Sequence, residues 1–291
     1  METGLQWGLE VIKTIQQPQT PLLNTVFLVI TSLGSGISFL FVLPILFWCV
    51  DYTLGLRVTV LCSVSAFCNF SLKDLFAQPR PFDLDPGVAL TTARGYGLPS
   101  GHSQGSLVLW GSIAEWVKRR WFWVLTITLV ILIGFSRVYL GVHFPSDVVA
   151  GWLLGFAFLV LYCIFYPRVE TWISGKTTGV HLLLLLGVVL GLMLFNFNRV
   201  MVYQWGILLG VGAGAIVKVR CFSFSISGMS WRSPVRYLAG VIILLICFVL
   251  LRSVYPPRDT TGYYVIGFVH SALNGLWISL GAPWFFRVLK L

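Results

Sequence analysis

Long apolar runs, each close to the length that crosses a bilayer, follow one another along most of this chain. A helix needs about 20 residues to cross a bilayer core. Lipid offers the backbone no hydrogen-bond partners, so each spanning run is expected to be a helix, which makes its backbone hydrogen bonds internally. Hydrophobic residues make up 57% of the 291 residues, and charged residues only 10%. The pattern predicts an all-α, polytopic integral membrane helical bundle of about nine transmembrane helices, at 22–50, 54–73, 103–117, 121–141, 146–166, 179–195, 202–218, 235–252 and 263–286.

The N-terminal segment, residues 1–21, has a different pattern. It places Leu5, Leu9, Ile12 and Ile15 on one helical face, which predicts an amphipathic helix lying in the membrane interface. The long run that follows, 22–50, is interrupted by Gly34-Ser35-Gly36 and by Pro44. We therefore expect a broken or re-entrant element at the start of this run.

The remaining spans divide into two regions. Residues 22–166 carry all the polar motifs described below, and residues 167–291 add further transmembrane helices of unknown role. Small residues recur at four-residue spacing, as at Gly151 and Gly155, which is typical of helices that pack closely in lipid. A homodimer seam is the alternative interpretation of these small residues.

Three polar clusters interrupt the apolar pattern. The first is "KDLFAQPRP" at 73–81, the second is Pro99-Ser100-Gly101-His102, and the third is "SRVYLGVHFPSD" at 136–147. Each cluster lies at the end of a predicted span. Counting spans between them puts all three clusters on the same side of the membrane.

The distribution of basic residues predicts which side that is. The formal net charge is +10, but the basic residues lie in short loops between spans, so we expect no nucleic-acid partner and apply the positive-inside rule. Twelve basic residues lie opposite the clusters, against five on the clusters' own face outside the motifs. The twelve are Arg57, Lys118, Arg119, Arg120, Arg168, Lys176, Lys218, Arg220, Arg232, Arg236, Arg287 and Lys290; the five are Lys13, Arg94, Arg199, Arg252 and Arg258. The clusters should face away from the cytoplasm.

The residue types in the clusters are those that bind phosphate. Lys73, Arg80 and Arg137 offer positive charge, and the two guanidiniums can bind oxygens bidentately. Ser100 and the Gly101 N–H can donate at the start of a helix, where the macrodipole favours an anion. A histidine held by a carboxylate can act as a nucleophile, and a second histidine can protonate a leaving oxygen. Each of these features alone is weak evidence for a phosphate site, but their combination, in this order and at this spacing, is specific.

These motifs, with their order and spacing, resemble those of the type-2 phosphatidic acid phosphatase superfamily over about residues 54–166. The resemblance implies that His143 attacks phosphorus and forms a phosphohistidine, and that Asp147 orients His143. It implies that His102 protonates the leaving group and then activates water. The transition-state oxygens would be held by Lys73, Arg80, Ser100, Gly101 and Arg137. No metal and no cofactor is implied.

The expected function is hydrolysis of a membrane lipid phosphate or diphosphate. A site at headgroup level suits a lipid substrate. Among lipids a polyprenyl diphosphate is favoured, because an outward-facing site suits the recycling of a lipid carrier, with sphingoid and glycerolipid phosphates next. A phosphatase of a soluble ester, such as a sugar phosphate, and a transporter of a phosphorylated compound remain alternatives. A bacterial inner membrane is the favoured location, with the site extracytoplasmic, or lumenal in a eukaryotic endomembrane.

Overall fold

The computed structural model describes residues 2–195, 201–221, 231–258 and 260–291; Arg199, used in the charge count above, lies outside them. Within these ranges the chain is helical and contains no strand, so the all-α prediction is confirmed. The described residues form thirteen α-helices in chain order, with short π segments at Leu46–Val50 and Trp277–Gly281. They are α1 (Glu2–Gln16), α2 (Pro21–Ser32), α3 (Gly36–Ile45), α4 (Tyr52–Phe76), α5 (Pro81–Leu84), α6 (Gly101–Val117), α7 (Arg120–Tyr139), α8 (Pro145–Ser174), α9 (Thr178–Phe195), α10 (Met201–Cys221), α11 (Ser233–Arg252), α12 (Thr261–Leu276) and α13 (Ala282–Val288).

Seven helical segments in the described ranges are long and apolar enough to cross a membrane. They begin at Tyr52, Arg120, Pro145, Thr178, Met201, Ser233 and Thr261. Helix α6 has 17 residues, and the apolar helices before α4 are shorter still. The interruption predicted at Gly34-Ser35-Gly36 is confirmed, since α2 ends at Ser32 and α3 begins at Gly36. At Pro44 the helix continues, since Pro44 lies inside α3. The total of nine spans stays a prediction.

The chain forms two compact units. One unit comprises the chain up to Phe39 together with Val64–Phe165, and the other comprises Leu40–Ser63 together with Tyr166–Leu291. All three polar clusters belong to the first unit. The candidate site is therefore built within that unit alone.

Helix α1 packs against the first unit through its apolar face. Ile12 is fully buried in a cluster with Val88, Val138, Phe144 and Val148. The face predicted to contact lipid is thus covered in large part by protein, because an amphipathic pattern does not tell the two environments apart. The helix itself is present, and its place in the membrane interface stays a prediction.

The end of α1 is also tied to the rest of the first unit by polar contacts. The Gln16 side-chain amide donates to the carbonyl oxygens of Val88, at 2.9 Å, and Tyr139, at 2.7 Å. An ion pair joins Lys13 to Asp85 at 2.7 Å. These contacts hold the loop after α5 and the end of α7 against one another.

Helix α2 docks on helix α7. The ring of Phe27 lies 4.3 Å from the ring of Tyr139 and 5.5 Å from that of Phe135. The Tyr139 hydroxyl donates to Asn24 Oδ1 at 2.6 Å. Apolar and polar contacts therefore fix the same pair of helices at several points along their length.

Helices α4, α6 and α8 meet beneath the second cluster. Ser65, Asn69 and Lys73 recur every four residues on one face of α4, and all three are buried. Asn69 Nδ2 donates to Gln104 Oε1 at 2.6 Å, and Gln104 Nε2 donates to Ser65 Oγ at 2.7 Å. On α8, Gly151 lies against the Ser100 carbonyl, where a Cβ would come within 2.6 Å. The small residue allows the close helix approach that its spacing predicts.

In the second unit, α10 packs on α12 through glycines. A side chain at Gly206 or Gly210 would collide with the backbone of α12, at Phe268 and Ala272. Elsewhere in this unit the indole of Trp48 donates to the Ile278 carbonyl at 2.8 Å. Tight backbone contact and internally paired polar groups are what helix packing in lipid requires.

Candidate active site

Lys73 lies at the end of α4 and is only 7% exposed. Its Nζ donates to the carbonyl oxygens of Tyr96, at 2.7 Å, and Gly97, at 2.8 Å. Burying an unpaired ammonium would be costly, and these carbonyls supply the partners. The first cluster is thereby joined to the loop that precedes α6.

Arg80 immediately precedes α5 and is 4% exposed. Its Nε donates to the Gly95 carbonyl at 2.6 Å and its Nη2 to the Arg94 carbonyl at 2.9 Å. Its Nη1 donates to the Val142 carbonyl at 2.7 Å. The carbonyls of residues 94–97 therefore hold both cations of the first cluster, and Arg80 also reaches the third cluster.

His143 and Asp147 form the centre of the third cluster, at the start of α8. Nδ1 of His143 lies 3.1 Å from Oδ2 of Asp147, and both side chains are buried. The same Oδ2 accepts from the Phe144 N–H at 3.0 Å. The other carboxylate oxygen, Oδ1, accepts from Gln78 Nε2 at 2.6 Å. Both oxygens of Asp147 are thus engaged, and the carboxylate is fixed in place.

The proton on the His143 ring can be assigned from its two partners. Arg80 Nη1 lies 3.1 Å from Nε2 of His143, and a guanidinium can only donate. Nε2 therefore accepts, and the ring proton lies on Nδ1, where it is donated to Asp147. Burial lowers the pKa of His143 well below its usual range, and the positive charges of Arg80, Lys73 and Arg137 lower it further. The ring is neutral, with one nitrogen lone pair directed at Arg80.

The second cluster begins α6 beside this pair. Ser100 is fully buried and caps the helix, its Oγ accepting from the Ser103 N–H at 3.4 Å and from Ser103 Oγ at 3.0 Å. The Ser100 N–H donates to the Asp147 carbonyl at 2.9 Å. A Cβ on Gly101 would lie 3.1 Å from Asn69 Oδ1, so the turn passes close to α4. Backbone and side-chain contacts thus join the second cluster to the other two.

Arg137 approaches from the end of α7 and is 5% exposed. Its Nη1 donates to Thr31 Oγ1 at 2.7 Å. Its Nε is buried and has no hydrogen-bond partner in the described part of the chain. One corner of the guanidinium is anchored, while the neighbouring Nε–H has no acceptor among the described residues.

His102 lies in the first turn of α6 and is half-buried. Lys73, Arg80 and Arg137 act electrostatically on this ring, as they do on His143, and the two histidines also interact with each other. The structure therefore brings all the predicted site residues into one region. They are Lys73, Arg80, Ser100, Gly101, His102, Arg137, His143 and Asp147.

Several polar contacts of the site were missed by sequence reasoning. Gln78 lies inside the first motif, and its polar side chain beside Arg80 was a signal that could have been used. Thr31 lies in an apolar run far from any motif, and no sequence signal indicates its contact. Among the described residues, no group of three or more His, Cys, Asp or Glu side chains could hold a metal ion.

Two family comparisons bear on this arrangement. A sequence model of the PAP2 superfamily matches residues 52–171, and one of the transmembrane extension of PAP2 superfamily phosphatases matches residues 202–291. The chain belongs to the PAP2 superfamily. The resemblance expected from the three motifs is confirmed, and the second match extends it to helices α10 to α13, which the motifs alone did not reach.

Individual members of the superfamily match parts of the chain. Lipid phosphate phosphatase delta of Arabidopsis thaliana is 28% identical over 58% of this chain and 44% of its own length. Undecaprenyl-diphosphatase of Sulfolobus acidocaldarius is 29% identical over 53% of this chain and 76% of its own. A dihydrosphingosine 1-phosphate phosphatase of Schizosaccharomyces pombe is 30% identical over 55% and 42%. The chain thus spans less than half the length of two of these relatives.

One solved structure resembles the chain in fold. The crystal structure of a transmembrane PAP2-type phosphatidylglycerolphosphate phosphatase from Bacillus subtilis superposes with a TM-score of 0.50 and 26% identity. The match covers 56% of this chain and 86% of that protein. Together with the apolar helices, these comparisons identify an integral membrane protein of the PAP2 superfamily.

Proposed function

We propose that this protein is a membrane phosphatase that hydrolyses a lipid phosphate or diphosphate through a phosphohistidine at His143, without a metal ion. The observation that carries the proposal is the buried His143 ring, whose Nδ1 lies against Asp147 and whose Nε2 lies against Arg80. Once Arg80 releases the Nε2 lone pair, that nitrogen can attack a phosphorus atom, and the cations can bind the phosphoryl oxygens. Phosphoryl transfer depends chiefly on positioning and charge stabilisation.

The first half-reaction transfers the phosphoryl group to the enzyme. Nε2 of His143 attacks phosphorus while the bond from phosphorus to the leaving oxygen breaks. The leaving oxygen receives a proton from His102. His102 must therefore be protonated in the substrate complex, where the negative charge of the bound phosphate offsets the charges of Lys73, Arg80 and Arg137 that disfavour its protonation in the free enzyme. Asp147 retains the Nδ1 hydrogen bond, so its negative charge offsets the positive charge that the ring gains.

The second half-reaction returns the enzyme to its starting state. Water attacks the phosphorus of the phosphohistidine, and His102 accepts a proton from that water. The bond between phosphorus and Nε2 breaks, inorganic phosphate leaves, and His143 is again neutral. Lys73, Arg80 and Arg137 stabilise the charge on the phosphoryl oxygens in both steps, together with the donors at Ser100 and Gly101.

Arg80 also controls access to the nucleophilic lone pair of His143 in this mechanism. It donates to Nε2 in the structure, and that lone pair must be released before attack. A phosphate oxygen is a charged acceptor and a stronger partner for a guanidinium than a neutral ring nitrogen. Substrate binding would therefore draw Arg80 away from Nε2 and free the nucleophile.

A lipid substrate is supported by the position of the clusters at the ends of spanning helices. A phosphate at that depth is at headgroup level, where the lipid tail can stay in the bilayer. Among lipids we favour a polyprenyl diphosphate, with sphingoid and glycerolipid phosphates next. The relatives include an undecaprenyl-diphosphatase and a dihydrosphingosine 1-phosphate phosphatase, so both classes of substrate enter the test.

The test is phosphate release by the purified full chain in detergent. Undecaprenyl diphosphate, phosphatidate, sphingosine phosphate and glucose-6-phosphate are compared by kcat/KM under one condition, with excess EDTA. We expect the polyprenyl diphosphate to lead and EDTA to have no effect. A sugar phosphate that matches every lipid contradicts the lipid assignment, and a strict Mg²⁺ requirement contradicts the metal-free scheme. His143→Ala, which removes the nucleophile, is the inactive control.

We also propose that the site faces away from the cytoplasm, in a bacterial inner membrane or toward the lumen of an endomembrane. The excess of basic residues on the opposite face supports this orientation. In a chain with its native cysteines replaced, Ala89→Cys should react with an impermeant maleimide from outside the cell. Arg119→Cys, exposed in the loop between α6 and α7, is the matched control and should stay unlabelled. The reverse pattern contradicts the orientation.

A further inference from the structure

We infer that Thr31 is a positioning residue that fixes Arg137 so that one edge of its guanidinium can bind phosphate. Thr31 lies on α2, before residue 52, where the match to the superfamily model begins. The inference rests on the proposed function, since it concerns how a phosphate-binding residue is held. It adds a part of the chain outside that match to the working site.

The contact between the two residues is short and buried. Arg137 Nη1 donates to Thr31 Oγ1 at 2.7 Å, and both residues are less than a tenth exposed. A hydrogen bond from a charged donor in such surroundings is among the stronger polar contacts in proteins. The hydroxyl thus restricts where the guanidinium can lie.

The anchored corner leaves a defined edge of the guanidinium with no acceptor for its Nε among the described residues. Nη1 is the nitrogen bonded to Thr31, whereas Nε is buried and has no partner in the described part of the chain. Nε and Nη2 lie side by side on one edge of the planar group, which is an edge that binds two oxygens of a carboxylate or phosphate. A buried donor without an acceptor is costly. An anion that occupies this edge would remove that cost.

The position of Thr31 is set by contacts other than its own hydroxyl. Asn24 and Phe27, on the same helix, bind and pack on the end of α7. Gly34, just beyond α2, lies against Ile133, where a Cβ would come within 2.7 Å. Helix α2 is therefore docked on α7 on both sides of Thr31, and the hydroxyl is presented to Arg137 by a fixed surface.

The test compares Thr31→Val, which keeps the shape and removes the acceptor, with Thr31→Ser, which keeps the hydroxyl. The full chain is assayed for lipid phosphate hydrolysis and for binding of orthovanadate, an anion with the shape of phosphate. We expect Thr31→Val to weaken vanadate binding and to lower kcat/KM, each about tenfold, the size of losing one hydrogen bond to a charged group. Thr31→Ser should stay within about twofold of the wild type.

Two controls separate positioning from packing. Thr25→Val removes an exposed hydroxyl that bonds only within α2, and should change neither quantity. In an Arg137→Ala background, Thr31→Val should have no further effect, because the group it positions is absent. If Thr31→Val does not fold, Thr31→Ala is measured in the same cycle.

The outcomes distinguish this inference from the proposed function. Unchanged vanadate binding and turnover in Thr31→Val overturn the inference alone. The inference is also overturned if Thr31→Val lowers both quantities in the Arg137→Ala background as much as it does in the wild type. A wild-type chain that neither hydrolyses lipid phosphates nor binds vanadate overturns the proposed function, and the inference with it. Loss in Thr31→Val, recovery in Thr31→Ser and no effect in the Arg137→Ala background support both.

Discussion

Arg80 Nη1 lies 3.1 Å from His143 Nε2 and donates to it, so the cation that flanks the proposed nucleophile also determines its protonation state. The arrangement keeps the Nδ1 proton facing Asp147 at 3.1 Å. A histidine in this tautomer needs no proton transfer before it attacks. The structure without substrate is therefore already in the chemical state that the proposed mechanism requires, with Arg80 covering the lone pair.

The pH dependence of turnover should change when the charge of Arg80 is removed. Burial and the neighbouring cations lower the pKa of His143 well below its usual range, so the neutral form persists into acid solution. Arg80→Gln removes one positive charge and should raise that pKa. The acid limb of the pH profile of kcat/KM, which reports pKa values of the free enzyme, should then move to higher pH. Loss of this phosphate-binding charge should also lower kcat about 10²-fold or more. If the acid limb does not move, titration of His143 is not what determines it.

Gln78 should affect catalysis through Asp147. It donates to Asp147 Oδ1 at 2.6 Å. Removing a side chain that orients a functional group in this way typically lowers activity about tenfold or more. Gln78→Ala should lower kcat about tenfold with little change in KM, because the phosphate-binding cations are untouched. Gln17→Ala, an exposed glutamine just after α1, is the control. Equal loss in kcat and in affinity for orthovanadate would show that Gln78 acts on binding instead.

Helix α1 should stabilise the structure around the site through Gln16. The side chain satisfies two backbone carbonyls, those of Val88 and Tyr139. Gln16→Ala should lower the free energy of unfolding by about 1–3 kcal/mol, measured as a lower melting temperature in detergent. Lys13→Ala breaks only a partly exposed ion pair and should cost less than about 1 kcal/mol. If the two variants lose the same free energy of unfolding, the two hydrogen bonds from Gln16 to backbone carbonyls do not provide the expected stabilisation.

The sequence predicted the all-helical fold and the grouping of the motifs because both follow from simple counts. A run such as 121–141 identifies α7 by its length, and the number of spans between His102 and Asp147 puts both on one side. Charged residues and histidines at span ends are few in an apolar chain, so those of the three clusters could be recognised.

The contacts that hold those residues could not be predicted in the same way. The carbonyls of residues 94–97 bind Lys73 and Arg80 because of the backbone path of a loop, which no side-chain pattern records. Thr31 meets Arg137 through the docking of α2 on α7, a tertiary contact between residues 106 positions apart. The apolar face of α1 packs on protein near Phe144, and its sequence would suit lipid equally well.

The most direct test of the account is to trap the phosphoenzyme. The full chain is mixed with a lipid phosphate labelled in its phosphoryl group, denatured in alkali before turnover is complete, and examined for labelled protein. We predict label on the wild-type chain that is stable to alkali and lost in acid, as expected for phosphohistidine, and none on His143→Ala. Label that persists on His143→Ala, or active turnover with no label at any quench time, would contradict the assignment of His143 as the nucleophile.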